Sequence, residues 1–188
     1  DDFESLYDYM KKQGLSPRSQ ARVVSSLRTY FKFLEGRGKS IPDIRALRPP
    51  KIKAKLPEPI SLEEFEKLFK AAHVEDPLRT ARNQITLLLL YGLGCRVSEL
   101  IDLNLNDFSA TDGTLTVLGK GGKQRVVPLT ARLLRELSTY LEHVRPELVK
   151  VSTQSVLIND RGKRPSRVDI WRWLSAWSKV AGFDEPIS

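Results

Sequence analysis

Apolar residues recur every three or four places through the first part of the chain. Phe3, Leu6, Tyr7 and Met10 share one face of a helix predicted over residues 2–13, which Gly14 stops. A second helix is predicted after Ser16, an N-cap residue, with Pro17 at its first position. Val24, Leu27, Phe31 and Leu34 make its apolar stripe, and Gly36 and Gly38 end it. Residues 49–59 lose the period and carry four prolines, so an extended linker is expected there.

Periodicity returns at Ser61. Ser61 and Glu64 are spaced as a capping box, and Leu62, Phe65, Leu68 and Phe69 follow on a core face. Residues 81–91 read as a buried helix, broken by Gly92 and Gly94 and resumed over 97–103. The pattern then changes. Residues 114–118 and 125–129 are rich in β-branched side chains and flank the glycine-rich 119–123, which predicts a hairpin. Thr130 caps a helix expected to run to about residue 144, and residues 156–158 read as a short strand. Ser166 and Asp169 frame a last helix with Ile170, Leu174 and Trp177 on its core stripe. The fold class expected is mainly α with one small antiparallel β-sheet, in two unequal parts, residues 1–48 and 60–188, joined by 49–59.

Charge narrows the partners. Lys and Arg number 31 against 23 Asp and Glu, a net charge of +8, which favours an anionic partner and nucleic acid above all. Cys95 is the only cysteine, so no internal disulfide forms, and with His73 and His143 it makes no zinc cluster of the usual spacing. A reducing, cytoplasmic setting fits. The apolar run 87–90 is far shorter than the roughly 20 residues that span a bilayer, so no membrane partner is expected. Residue 1 is Asp with no leader before it, which suggests a start after processing or inside a longer protein.

Three places carry candidate chemistry. On the second helix, Arg18, Arg22, Ser25, Thr29 and Lys32 step by three and four opposite the apolar stripe. Cations there can hold phosphates while short polar groups approach bases; the same face also reads as an ordinary solvated surface. In the linker, Lys51, Lys53 and Lys55 alternate, so an extended backbone aims them to one side, as a phosphate strap or a solubilising segment. The third place has two parts. Arg96, in Gly94-Cys95-Arg96-Val97-Ser98-Glu99-Leu100, leaves a core helix at a glycine turn with Glu99 placed to brace it; a guanidinium offers a planar fork to two phosphate oxygens. Lys120, Lys123 and Arg125 lie in Gly119-Lys120-Gly121-Gly122-Lys123-Gln124-Arg125 at the hairpin, which is not a P-loop. Taken singly, the first part also reads as a structural ion pair and the second as a flexible basic turn.

The two parts together, with 24 residues from Arg96 to Lys120, resemble the tyrosine recombinase (phage-type integrase) family, and its Xer branch most closely. Tyr140-Leu-Glu-His-Val-Arg-Pro146 and Trp171 are similar to that branch as well. The resemblance implies a partial helical core-binding clamp of the SAM-like kind, followed by a catalytic domain. It implies site-specific cleavage and rejoining of double-stranded DNA, through a 3′-phosphotyrosine, without metal or ATP. Paired inverted half-sites and a tetramer of subunits on DNA are implied too. Arg96 matches the first catalytic arginine, which stabilises transition-state charge. Lys120 matches the general acid for the departing 5′ oxygen. Glu99 matches the acid that orients the arginine, and Arg167 a DNA-contacting arginine.

Two departures stand against the family pattern. Its His-x-x-Arg block is missing: His73 is followed at plus three by Asp76 and His143 by Pro146. None of Tyr7, Tyr9, Tyr30, Tyr91 and Tyr140 matches the nucleophile. The chain therefore reads as an internal fragment that does not cut DNA alone. A non-catalytic DNA-binding or architectural module is the rival reading.

Overall fold

The computed structural model describes residues 2–51, 59–184 and 187, and the chain divides into two compact units, Asp1–Glu58 and Pro59–Ser188.

In the first unit, α1 (Asp2–Lys12) and α2 (Pro17–Glu35) are joined by a short turn through Gly14, whose φ of 67° only glycine adopts freely. Ser16 sits in extended conformation and its hydroxyl accepts the Ser19 N–H, so α2 starts where the sequence places it. Met10, Val24 and Leu47 are fully buried, and Phe3, Leu6, Tyr7 and Leu27 pack around them. The Tyr7 hydroxyl donates to the Arg48 carbonyl, tying the segment after α2 back onto α1.

The second unit contains α3 (Leu62–Ala71), α4 (Pro77–Leu93), α5 (Val97–Asp102), β1 (Phe108–Ser109), β2 (Thr114–Leu118), β3 (Gln124–Pro128), α6 (Ala131–Thr139), α7 (Arg145–Leu148) and α8 (Arg167–Val180). The strands form one antiparallel sheet in the order β1-β2-β3, with Leu115 opposite Phe108 and Val117 opposite Arg125. Leu115 and Val117 are buried and face the helices, the alternation that a strand with one covered face requires. They join one core with Leu89 of α4, Leu100 of α5, Leu137 of α6 and Ile170 of α8. No helix among the described residues is long and apolar enough to cross a membrane.

Three elements differ from the sequence reading. The buried run Val156, Leu157, Ile158 is not a strand: its neighbour Ser155 makes only an isolated bridge to Asn104. The Arg145 guanidinium takes the carbonyls of Thr153 and Ser155, and the Ser155 hydroxyl takes that of Leu157, so no ladder is left to extend. The helix after Thr130 does not run unbroken to residue 144. It is α-helical to Thr139 and then widens into a π-turn over Tyr140–Val144, where the Arg145 N–H reaches back to the Tyr140 carbonyl. Pro146, with no N–H and a ring that crowds the preceding turn, accounts for the widening. Finally, α4 begins at Pro77 rather than residue 81, because the Asp76 carboxylate caps the Leu78 and Arg79 N–H groups, and it runs through Gly92 to Leu93, so Gly94 alone ends it.

Candidate active site

The site starts where α4 stops. Gly94 takes a left-handed conformation, φ 54° and ψ 29°, and turns the chain into α5. Arg96 is the extended residue just before α5, and Glu99 occupies the third helical position. A carboxylate there faces back over the first turn. Glu99 Oε2 accepts the Arg96 backbone N–H at 3.2 Å and Oε1 accepts Arg96 Nη1 at 2.9 Å. One acid therefore holds both the main chain and the side chain of the same arginine. Glu99 is only 5% exposed whereas the Arg96 side chain is 72% exposed, so the anchor is buried and the guanidinium presented outward.

The hairpin completes the group. Arg125 on β3 donates through Nη2 to Glu99 Oε2 at 2.8 Å. Gly119 closes the end of the hairpin with its N–H on the Lys123 carbonyl at 2.7 Å. A Cβ at Gly119 would lie 3.3 Å from that carbonyl oxygen and 3.7 Å from Glu99 Oε1, so the backbone there abuts the carboxylate. Lys120 opens the next turn, in which Gly121 (φ 77°) and Gly122 (φ 75°) need glycine freedom; the Lys120 side chain lies outside the described residues.

Two guanidinium groups against one carboxylate leave a positive charge at this surface. The Arg125 hydrogen bond, against the opposing effect of burial and with help from Arg96, holds the Glu99 carboxyl down to about 2. Burial, and after it the Glu99 charge, pushes the neighbouring Cys95 thiol up to about 11, so it stays protonated and is a poor nucleophile. Beside Arg96 runs an apolar groove of about 470 Å³, lined by Phe65, Leu90, Val97 and Leu174, with Tyr91 stacked on Phe65 at 4.2 Å between centroids. A fixed, outward cation beside a basic glycine turn is suited to a phosphodiester whose charge grows during reaction.

A family model for the phage integrase family matches residues 59–188. This chain belongs to the phage integrase family. Among curated relatives, the tyrosine recombinase XerD of Listeria innocua is 34% identical over 190 residues, covering 100% of this chain and 64% of the relative. XerD of Proteus mirabilis is 34% identical over 174 residues, covering 92% of this chain and 55% of the relative. This chain thus spans less than two thirds of the length of these relatives. Among solved structures, XerH recombinase in a post-cleavage complex with palindromic difH substrate superposes with a TM-score of 0.77 at 23% identity, over 97% of this chain and 55% of that one. A lambda integrase dimer bound to a COC′ core site gives 0.71 at 19%, over 98% of this chain and 65% of that one. These two likenesses show a shared fold.

Not every expected site residue falls in the cluster. Arg96, Glu99, Arg125 and the hairpin end are brought together. Lys123 is exposed just past the turn, and Arg167 is exposed at the first position of α8. Arg18, Arg22, Ser25, Thr29 and Lys32 all lie exposed on α2 in the first unit. There Ser25, Thr29 and Lys32 line a shallow cleft of about 290 Å³ with Arg28, and the Thr29 hydroxyl donates to the Ser25 carbonyl at 3.0 Å. Lys51 is exposed, while Lys53 and Lys55 lie outside the described residues. Tyr140 is 2% exposed and burial pushes its hydroxyl up, which suits it to the core and not to attack on DNA. Among the described residues no group of three or more His, Cys, Asp and Glu is placed to hold a metal ion.

Several charged residues were not singled out from sequence. Buried Arg82 lies over the Trp173 ring at 4.1 Å and bonds Asp160 at 2.6 Å and Asn83 at 2.9 Å. Arg164 donates to the Ile101 carbonyl and, at 2.6 Å, to Asn104 Oδ1, clipping the end of α5 to the segment before α8. Neither carries a local signal in the sequence: Arg82 lies in the polar first half of α4 and Arg164 in the segment before α8.

Proposed function

We propose that the whole protein containing this chain is a Xer-type site-specific recombinase that cuts and rejoins DNA, and that this chain supplies two of its catalytic side chains, Arg96 and Lys120. The observation that carries this reading is the exposed Arg96 guanidinium, locked on a buried carboxylate beside the hairpin that bears Lys120. In the proposed reaction a tyrosine hydroxyl from outside this chain attacks the scissile phosphorus. Its oxygen forms the 3′-phosphotyrosine bond and yields its proton to a base outside this chain, while the bond to the 5′ oxygen breaks. Arg96 donates to the non-bridging oxygens as they gain charge. Lys120 gives its proton to the departing 5′ oxygen, and rejoining runs the same steps backwards.

Residues 1–48 act as part of a clamp on the duplex through the α2 stripe. Residues 49–59 link it to the catalytic part, 60–188, and Lys123 and Arg167 add phosphate contacts. The DNA carries paired inverted half-sites held by four subunits in the cytoplasm. No tyrosine of this chain matches the nucleophile, so residues 1–188 by themselves bind DNA without cutting it.

The test is a covalent trap. The complete gene product is incubated with nicked duplexes carrying candidate palindromic sites, and protein–DNA adducts are resolved under denaturing conditions. An adduct on one site is the expected result. Tight binding with no adduct on any site would favour a non-catalytic DNA-binding module instead.

A further inference from the structure

We infer that Arg125 is a positioning residue: acting through the Glu99 carboxylate, it locks Arg96 to the β2–β3 hairpin instead of spending its charge on a DNA phosphate. The inference rests on the catalytic reading of Arg96 given above.

Three donors converge on one carboxylate, and they come from two places in the chain. Arg96 supplies its backbone N–H and Nη1, both from the same helical turn as Glu99. Arg125 supplies Nη2 from a strand 26 residues away. A carboxylate held only by its own turn can rock with that turn. A second guanidinium from the sheet fixes it against an independent frame. Arg125 is itself fixed, because its Cα pairs with Val117 of β2 in the ladder. Its side chain is 40% exposed, between the outward Arg96 at 72% and the buried acid at 5%, as expected of a brace and not of a probe for DNA. Gly119 lies alongside the arrangement: a Cβ there would stand in ordinary contact with Arg125 Nη1 at 3.6 Å and Glu99 Oε1 at 3.7 Å. The interaction that orients Arg96 therefore also seats the residue from which the Lys120 turn springs.

The arrangement has a signature in acid. Among the described residues, the charged or titratable groups around Glu99 are Arg96 before α5, Arg125 from β3 and the Cys95 thiol from the α4–α5 turn, while Arg164 holds the opposite end of α5. Arg125 is the chief influence keeping the acid ionised, against burial. Without it, burial gains weight and Glu99 takes up a proton at higher pH. A protonated Glu99 no longer anchors Arg96 as an ion.

Three measurements on Arg125→Gln and Arg125→Lys decide the matter. In the 188-residue chain, carboxyl carbon-13 NMR should show Glu99 titrating near 2 in the parent, climbing towards the ordinary carboxylate range in R125Q and part of the way in R125K. DNA affinity should stay within about twofold of the parent and its salt slope should not change, since Arg125 holds no phosphate. In the complete gene product at saturating DNA, R125Q should cut about tenfold more slowly, with a rate that falls as pH drops towards the ordinary carboxylate range while the parent's stays level there, and R125K should recover part of the rate. A Glu99 titration that does not move in either variant would overturn the inference. So would a salt slope reduced by about 0.9 with the cutting rate unchanged, the mark of a direct bond to phosphate. If the parent protein never cuts, the recombinase reading fails, and the Glu99 titration and salt slope still decide whether Arg125 braces or binds.

Discussion

Arg18, Arg22 and Lys32 stand exposed along α2, and none of the ion pairs found among the described residues involves them. Arg96 and Arg125, in the second unit, share a carboxylate that is almost fully buried. The charges are alike, but what fixes them differs. A free lysine or arginine on a helix keeps its rotamers and follows a phosphate backbone wherever it lies, and its contribution is released counterions. A guanidinium already bonded to a buried acid has lost that freedom before DNA arrives. It can stabilise charge at one point in space without reorganising. The first arrangement suits grip and the second suits chemistry, although composition counts both as basic residues.

Substitutions can separate the two roles, and the largest loss belongs to the anchor. Glu99→Gln in the complete gene product should slow single-turnover cleavage by about 100-fold while DNA affinity stays within about twofold, because Arg96 loses its charged tether. Next, Arg18→Gln, Arg22→Gln and Lys32→Gln combined should do the reverse. The salt slope for DNA binding should shrink by about 0.9 for each phosphate no longer neutralised, with the cleavage rate at saturation unchanged. A third effect appears in acid. Glu99 titrates at about 2 in the folded chain against an ordinary 4.5, so its stabilising contribution is present in full above 4.5 and fades as pH falls towards 2. Melting curves of the parent and E99Q chains should therefore approach one another across that window, and constant separation would argue against the anchor. The smallest effect should be Ser166→Ala, which removes the cap of α8 at a cost of about 1 kcal/mol and lowers Tm by a few degrees.

Local signals were legible where one stretch of chain decides the outcome. The capping boxes at Ser61–Glu64 and Ser166–Asp169 form as spaced, and so does the reach of Glu99 back to Arg96. The glycine hairpin is there, with both left-handed residues inside it. What stayed illegible depends on partners far along the chain. The polar opening of α4, with Arg82 and Asn83, has no apolar period of its own; it is buried because Asp160 and Trp173 come from 78 or more residues away. Residues 156–158 have the composition of a strand, yet Arg145 occupies the carbonyls next to them. The role of Arg125 was hidden in the same way. A basic residue beside a basic loop reads as a DNA-binding group until the carboxylate 26 positions earlier is found against it.

Catalytic electrostatics, on this reading, reside in one braced guanidinium, while binding is spread over free cations elsewhere. The decisive quantity is the single-turnover cleavage rate of Arg96→Ala in the complete gene product, at saturating DNA, with the dissociation constant measured alongside. A fall of about 100-fold or more in rate with affinity held within about twofold is the expected result. A rate within about threefold of the parent, or a loss confined to affinity, would contradict it.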